Sequence, residues 1–215
     1  AGKLDVGSGA TVNLTGGTHS VATGATISGL GQYRLSGGTV TVSGVVSTQD
    51  FAMTGGTLDG SGTVTASGAA TWTGGVMRGT GTTAIAAGGT LSLSGGGDKD
   101  LVGRTLSNAG TATWSSGRIR TGEGAVISNV GLWLTQNNDI INRDYGGATS
   151  TFVNSGTFRN STGTGTTTVD IAFSNSGTAA PGAVSIALQE PRTQPGGLFQ
   201  VGDLMRYWYP QWELL

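Results

Sequence analysis

Leu14-Thr15-Gly16-Gly17 is the first copy of a four-residue motif that decides the fold of this chain. The motif returns as Leu35-Ser36-Gly37-Gly38, Met53-Thr54-Gly55-Gly56, Trp72-Thr73-Gly74-Gly75 and Leu93-Ser94-Gly95-Gly96, and an altered sixth copy is Trp114-Ser115-Ser116-Gly117. The large apolar residues therefore stand at positions 14, 35, 53, 72, 93 and 114, at nearly but not fully even intervals. A unit of about twenty residues cannot bury a hydrophobic face alone, so consecutive units must stack on each other.

The residues around the motif alternate between hydroxyl-bearing and apolar side chains, as in Thr39-Val40-Thr41-Val42 and Thr90-Leu91-Ser92-Leu93. A period of two is typical of strands that bury one face. Helix is disfavoured because 41 of the 215 residues are Gly, and Gly costs a helix on the order of 1 kcal/mol relative to Ala. We therefore predict an all-β protein, a parallel β-helix (solenoid) with rungs of about 20 residues.

The paired glycines predict a corner of the coil, because a sharp turn needs positive φ angles that Gly adopts without strain. The large residue before each pair then points into the interior and stacks on its equivalents, which are Leu14, Leu35, Met53, Trp72, Leu93 and Trp114. A second element, Gly60-Ser61-Gly62, recurs one repeat later as Gly79-Thr80-Gly81. Two corners per rung are therefore visible.

After residue 105 an Asn-x-Gly motif replaces the paired glycines. Its copies begin at Asn108, Asn129, Asn154 and Asn175, and the interval from Asn129 to Asn154 is the longest of the three. Stacked Asn side chains form amide ladders in other cross-β stacks, so we predict a structural ladder here. The longer interval predicts an insertion within 136–145.

This insertion holds a dense group of polar side chains, Asp139, Arg143, Asp144 and Tyr145. Loops carried on a rigid scaffold are frequent sites of function. Asp139, Asp144 and Arg143 are therefore candidate catalytic residues, and Tyr145 is a candidate ligand contact. The other acids are scattered along the sequence, and Arg118 and Arg120 share a strand face on which we predict no acid.

The segment Gly95-Gly96-Gly97-Asp98-Lys99-Asp100 resembles a degraded calcium-binding nonapeptide of the repeat-in-toxin type. Asp98 and Asp100 are the candidate calcium ligands. Such sites share ligands between consecutive copies, and this chain has one copy. A polar surface turn is the simpler interpretation, and we predict no cofactor other than this calcium candidate.

The repeats predict a solenoid domain over residues 1–180, followed by a non-repeat tail over 181–215. All four Pro of the chain lie in the tail, and Pro cannot donate to a sheet ladder. The tail also contains Tyr207, Trp208, Tyr209 and Trp212. These aromatic residues predict either a cap on the last rung, a platform for sugar rings or a segment foreign to the domain.

Composition excludes several classes of function. The formal net charge is −1 and charged residues make up 11% of the chain, so the basic patch of a nucleic-acid-binding protein is missing. The chain has no Cys and no apolar stretch of membrane-spanning length, so we predict neither disulfides nor a membrane span. His19 is the only histidine, which disfavours a serine-histidine-acid triad.

The Gly-Gly-Thr corners, the segment from Gly96 to Gly110 and the later Phe152-Val153-Asn154-Ser155-Gly156-Thr157-Phe158 resemble the repeats of secreted bacterial surface proteins. The families are the autotransporter passenger domains and the filamentous-haemagglutinin-like adhesins. The resemblance covers about 1–180. It implies a right-handed parallel β-helix outside the cell, at the bacterial surface, as a fragment of a longer protein. It transfers no catalytic residue.

We predict a structural and adhesive module that presents a Thr/Ser-rich surface to an extracellular glycan or to a host or neighbouring cell. One alternative is a polysaccharide lyase, glycoside hydrolase or carbohydrate-binding module that uses residues 136–145 and the tail aromatics; such enzymes need clustered carboxylates. A second alternative is ice binding, with Thr41, Thr65 and Thr83 on one face. The uneven spacing of the repeats argues against the second alternative, because these residues must lie in register.

Overall fold

The chain folds into a parallel β-solenoid built from three sheets. The structure, a computed structural model, describes residues 2–161 and 166–180 in full, and the backbone of 185–188, 192–193 and 198–199. These residues form 29 strands and no helix, and successive strands belong to different sheets in rotation. Each strand pairs in parallel with the strand one turn away. The predicted all-β solenoid is confirmed, and its hand stays a prediction.

The strands are numbered along the chain, and every third strand belongs to the same sheet. Sheet 1 contains β1 (Lys3–Asp5), β4 (Thr26–Ser28), β7 (Val45–Thr48), β10 (Thr63–Ala66), β13 (Thr82–Ile85), β16 (Thr105–Asn108), β19 (Val126–Asn129), β22 (Thr151–Asn154), β25 (Ala172–Asn175) and β28 (Arg192–Thr193). Sheet 2 contains β2 (Thr11–Leu14), β5 (Gln32–Leu35), β8 (Asp50–Met53), β11 (Ala69–Trp72), β14 (Thr90–Leu93), β17 (Thr111–Trp114), β20 (Leu132–Thr135), β23 (Thr157–Asn160), β26 (Thr178–Ala180) and β29 (Leu198–Phe199). Sheet 3 contains β3 (Thr18–Val21), β6 (Thr39–Val42), β9 (Thr57–Asp59), β12 (Gly75–Arg78), β15 (Lys99–Val102), β18 (Ile119–Gly122), β21 (Ile140–Arg143), β24 (Thr166–Asp170) and β27 (Ser185–Leu188).

The large residues of the Gly-Gly motif form a continuous interior column on sheet 2. Leu35, Met53, Trp72, Leu93 and Trp114 are fully buried and paired in register from turn to turn. Leu14 pairs with Leu35 and packs against the same core, although it is partly exposed. The predicted stack is thus confirmed. Its aromatic members are core residues and are not available to bind a ligand.

The asparagines of the Asn-x-Gly motif form the predicted ladder inside sheet 1. Asn108, Asn129, Asn154 and Asn175 are fully buried. Each amide nitrogen donates to the amide oxygen one turn later, at 2.8, 2.7 and 2.6 Å along the series. Earlier turns have Ala66 and Ile85 at this position. The ladder therefore occupies a different corner from the Gly-Gly motif and does not continue it.

Each turn has three corners, one more than the sequence made visible. The Gly-Gly motif lies between sheets 2 and 3, and Gly60-Ser61-Gly62 lies between sheets 3 and 1. The third corner, between sheets 1 and 2, is Gln49 in one turn and Ser67-Gly68 in the next. Because its sequence varies in the early turns, it leaves no repeat signal there.

The corners absorb the variation in repeat length, so the strands stay in register. The insertion between Asn129 and Asn154 lies mainly in the loop 144–150. Thr121 and Val126 are five residues apart, whereas their partners Arg143 and Thr151 are eight residues apart. The prediction of an insertion over 136–145 therefore placed it too early, because most of the extra residues follow Arg143.

Arg104 is buried at the corner between sheets 3 and 1 and is fully hydrogen-bonded. Its Nε donates to Thr83 Oγ1 at 3.0 Å. Its Nη1 donates to the carbonyls of Gly60 and Arg78, and its Nη2 to those of Gly62 and Thr82, at 3.1–3.3 Å. All five guanidinium N–H groups thus have acceptors. Burial lowers the pKa of Arg104 to about 10, so the side chain remains charged at neutral pH.

Candidate functional site

Two arginines, one just before β18 and one within it, bind two aspartates of the previous turn. The Arg120 guanidinium binds Asp100 through two hydrogen bonds, of 2.7 and 2.8 Å. Arg118 binds Asp98 in the same manner, at 3.3 and 3.1 Å. The prediction that no acid lies beside Arg118 and Arg120 is therefore wrong. The sequence held a usable signal, because the two members of each pair are 20 residues apart, which is one turn at this point of the solenoid.

The loop after β21 completes this group of side chains. Arg118 Nη1 lies 3.2 Å from Asp144 Oδ2, and Tyr145 Oη donates to Asp100 Oδ2 at 2.6 Å. The Arg120 guanidinium carbon lies 5.4 Å from the centre of the Tyr145 ring, within the range of a cation–π interaction. We call this group the sheet 3 cluster. Its members are Asp98, Asp100, Arg118, Arg120, Asp144 and Tyr145.

Hydrogen bonds and desolvation within the sheet 3 cluster shift the pKa values of Asp98, Arg120 and Tyr145. The hydrogen bond from Arg118 is the main cause of a lowered pKa of Asp98. The hydrogen bond to Asp100 raises the pKa of Arg120. Desolvation, followed by the hydrogen bond to Asp100, raises the pKa of Tyr145. The cluster is thus suited to recognition through fixed charges and a ring, and poorly suited to proton transfer at neutral pH.

The loop that resembles a calcium nonapeptide already holds a cation of its own. Lys99 is fully buried, and its Nζ donates to the carbonyls of Gly95, Gly97 and Ser116 at 2.9–3.2 Å. Burial lowers the pKa of Lys99, and the charges of Asp139 and Asp98 oppose that shift. The Lys99 ammonium therefore takes oxygen atoms that a bound metal ion would need.

The two aspartates flanking Lys99 point outwards and bind Arg118 and Arg120, as alternation along a strand requires. Within the residues described in full, no group of three or more His, Cys, Asp or Glu side chains is arranged to hold a metal ion. Calcium binding by Asp98 and Asp100 stays a prediction.

The predicted pair Asp139 and Asp144 lie at opposite ends of β21. Asp139 Oδ2 accepts a hydrogen bond from the Gly117 amide at 2.7 Å, whereas Asp144 binds Arg118 and the Asn142 amide. Five steps of extended chain separate their Cα atoms by about 16 Å. Paired carboxylates of glycosidases are about 5–10 Å apart. Arg143 is exposed at the end of the same strand.

The outer face of sheet 1 is a second candidate surface. Thr65 lies on it, but Thr41 belongs to sheet 3 and Thr83 is buried, where it accepts the hydrogen bond from Arg104. The three threonines predicted to share a face are therefore not together. Other residues take their place, since Thr63, Thr82 and Thr105 pair in register over three turns. Unequal repeat lengths do not disturb this register because the corners absorb them.

The predicted tail platform of Tyr207, Trp208, Tyr209 and Trp212 lies outside the described residues. Backbone pairing of β27, β28 and β29 continues the three sheets past residue 180. In the part of the chain that the structure covers, no helix has the length and apolar character needed to cross a bilayer. Comparison with protein-family models, curated proteins and solved structures gives no match for this chain.

Proposed function

We propose that this protein is a structural and adhesive β-solenoid module of an extracellular bacterial protein. It presents a Thr/Ser-rich surface and contacts glycans, free or on a neighbouring cell, through the sheet 3 cluster. The bacterial and extracellular origin rests on the resemblance of the repeats to those of secreted surface proteins. The observation that carries the glycan contact is the arrangement around Tyr145.

The Tyr145 side chain offers a partly exposed ring beside fixed polar groups. The residue is 39% exposed, and its hydroxyl is bound to Asp100 while Arg120 lies over the ring. An aromatic ring combines an apolar face with a polar edge, which suits the apolar face and the hydroxyl groups of a sugar. Arg118, Asp98 and Asp144 are each about one third exposed and surround this ring with donors and acceptors.

The proposal does not extend to catalysis. Three carboxylates of the sheet 3 cluster are bound by arginine, and Asp139 is bound to a backbone amide at the far end of β21. A screen of polysaccharides for chain cleavage, with Asp139→Ala and Asp144→Ala, tests the enzymatic alternative. Cleavage that disappears in both variants would establish that alternative.

Glycan binding by the full chain on an array of immobilised oligosaccharides tests the adhesive proposal. We expect Tyr145→Ala to abolish binding and Tyr145→Phe, which keeps the ring but loses the bond to Asp100, to weaken it. Arg159→Ala is the matched control, because Arg159 is an exposed residue on sheet 2 and should leave binding unchanged. Trp208→Ala separates the tail platform from the sheet 3 cluster.

Two results would contradict the proposal. The first is an array on which the unaltered chain binds no glycan. The second is binding that Tyr145→Ala leaves intact. A complete gene without any export signal would count against the extracellular origin.

A further inference from the structure

The outer face of sheet 1 carries no charged side chain from β4 to β25. One column of this face contains Thr26, Val45, Thr63, Thr82, Thr105, Val126, Thr151 and Ala172. The second column contains Ser47, Thr65, Ala84, Ser107, Ser128, Val153 and Ser174. We call these two columns the hydroxyl face. Every member carries a hydroxyl group, a methyl group or both.

The other two sheets carry charges on their outer faces. Sheet 2 presents Arg34, Asp50 and Arg159, and sheet 3 presents the sheet 3 cluster together with the Asp59–Arg78 ion pair. Among the strands of sheet 1 whose side chains the structure describes, charged residues lie on β1, where Lys3 and Asp5 are exposed at the edge of the hydroxyl face. The hydroxyl face therefore suits a partner without charge.

The strand register arranges the hydroxyl face as a two-dimensional lattice. Parallel neighbours lie about 4.8 Å apart, and alternate residues of one strand lie about 6.7 Å apart. The lattice extends over eight paired strands. The asparagine ladder lies within the same sheet, from Asn108 to Asn175, and side-chain ladders are one device that holds a sheet flat.

These spacings are close to the repeats of a tetrahedral water lattice. With hydrogen-bonded oxygens about 2.75 Å apart, tetrahedral geometry places second-neighbour oxygens about 4.5 Å apart and the layer repeat of hexagonal ice at about 7.3 Å. Both lattice directions of the hydroxyl face agree with these values to within about a tenth. At such spacings each Thr side chain supplies a methyl group and a hydroxyl group that can both donate and accept a hydrogen bond.

The dimensions and composition of the hydroxyl face disfavour a protein partner. Eight strands by two columns cover about 34 Å by about 10 Å, or about 340 Å², whereas a stable protein interface buries about 800 Å² on each side. The face also lacks the Trp, Tyr and Arg side chains that supply most binding energy in protein interfaces. The absence of an aromatic ring likewise removes the usual platform for sugars.

We propose that the hydroxyl face of sheet 1 binds ice. The lattice of Thr and Ser side chains orders water at ice-like spacings, and the flanking methyl groups reduce competition from disordered water. This activity uses a surface separate from the sheet 3 cluster and does not depend on the proposed glycan contact.

Partitioning of the full chain into a slowly growing ice hemisphere, together with inhibition of ice recrystallisation, tests this proposal. We expect the unaltered chain to be enriched in the ice fraction and Thr82→Lys, at the centre of the lattice, to lose that enrichment. Thr111→Lys is the matched control. Thr111 is also the half-buried, outward-pointing first residue of a strand, but on sheet 2, so enrichment should persist. Urea midpoints of both variants monitor folding.

Exclusion of the unaltered chain from ice would overturn the proposal. An equal loss of ice enrichment in Thr82→Lys and Thr111→Lys, at unchanged urea midpoints, would also overturn it, because the activity would then not be specific to sheet 1. Two other outcomes would also overturn it, each in the absence of enrichment in ice. Retention on an insoluble neutral polysaccharide that Thr82→Lys alone abolishes would make a glycan the partner. A dimer in sedimentation that Thr82→Lys alone abolishes would make a second copy of the chain the partner. Tyr145→Ala should leave enrichment unchanged, which separates this test from that of glycan binding.

Discussion

The guanidinium group of Arg104 occupies the space that Gly81 leaves open one turn earlier. A Cβ atom added at Gly81 would lie 2.7 Å from Arg104 Nη1, and the residues that follow the two, Thr82 and Thr105, are paired. Gly62, one further turn away, also receives a hydrogen bond from Arg104. One long side chain thus joins three turns at a single corner. The corner can be disturbed by removing the Arg104 side chain or by adding a methyl group at Gly81.

Arg104→Ala should lower the free energy of unfolding by about 2–4 kcal/mol, because it leaves a cavity and removes five hydrogen bonds. Urea denaturation followed by circular dichroism measures the change. Ser150→Ala is the control, since Ser150 occupies the same corner position two turns later and its buried hydroxyl has no hydrogen-bond partner among the described residues. That change should stay within about 0.5 kcal/mol. Equal effects would contradict the role of Arg104.

Gly81→Ala should destabilise the solenoid by obstruction. The new methyl group would lie 2.2 Å from the Gly62 carbonyl oxygen as well as against Arg104, so the backbone must move, at a cost of about 1–3 kcal/mol. A Cβ atom at Gly96 would meet nothing within 4 Å, so Gly96→Ala should be nearly neutral. A comparison of melting temperatures decides the prediction, and equal melting temperatures would show that no close contact exists.

Asn129→Ala should cost more than Asn108→Ala. Within the ladder, loss of Asn129 deprives Asn108 of an acceptor and Asn154 of a donor. Loss of Asn108 breaks one amide-to-amide bond, that to Asn129, because Ile85 occupies the preceding position. Unpaired buried amide groups cost about 1–3 kcal/mol each. Urea unfolding of the two variants gives the order of the two costs, and the reverse order would argue against a continuous ladder.

Tyr33 should make the solenoid sensitive to strong alkali. Burial raises the pKa of Tyr33 from 10.0 to about 12, so the unfolded chain releases this proton at a lower pH than the folded chain does. The stability that the protonated Tyr33 contributes is therefore fully present below pH 10. As the pH rises toward 12 and beyond, the free energy of unfolding falls by about 3 kcal/mol in total. Tyr33→Phe should remove this part of the alkaline slope. Identical slopes of unfolding free energy against pH for both chains would refute the prediction.

Asp100→Asn should destabilise the protein more than Asp144→Asn. The Asp100 side chain is 8% exposed and binds both Arg120 and Tyr145, so its loss should cost about 1–3 kcal/mol. Asp144 is 30% exposed, and exposed ion pairs contribute about 0–1 kcal/mol. Thermal unfolding at low and high salt measures both. A larger effect at Asp144 would mean that burial does not determine the strength of the pairs.

The solenoid could be predicted from the sequence because the same types of residue recur, once per turn, in the interior and at the corners. Trp72 and Trp114 recur before a glycine-containing corner, and the asparagines recur before another. Both columns depend on neighbours that lie one period away, so a simple count of residues locates them. The same count would also have found Asp98 with Arg118, had charged residues been compared one turn apart.

Arg104 could not have been placed by such a count. Its acceptors on Gly62 and Gly60 lie 42 and 44 residues earlier, and they are backbone carbonyls, which every residue possesses. Nor could the hydroxyl face have been located from spacing alone. The intervals between its members are unequal, because the corners that connect the strands differ in length.

The asparagine ladder has a direction, because Asn108, Asn129 and Asn154 each donate to the asparagine of the next turn toward the C-terminus. A partly assembled stack that ends at Asn129 therefore exposes an N–H group whose acceptor is still to arrive. A slip by one residue in the next strand would turn Asn154 outwards and leave that donor buried without its partner. The ladder thus penalises a slip of the next strand by one residue and favours a single register.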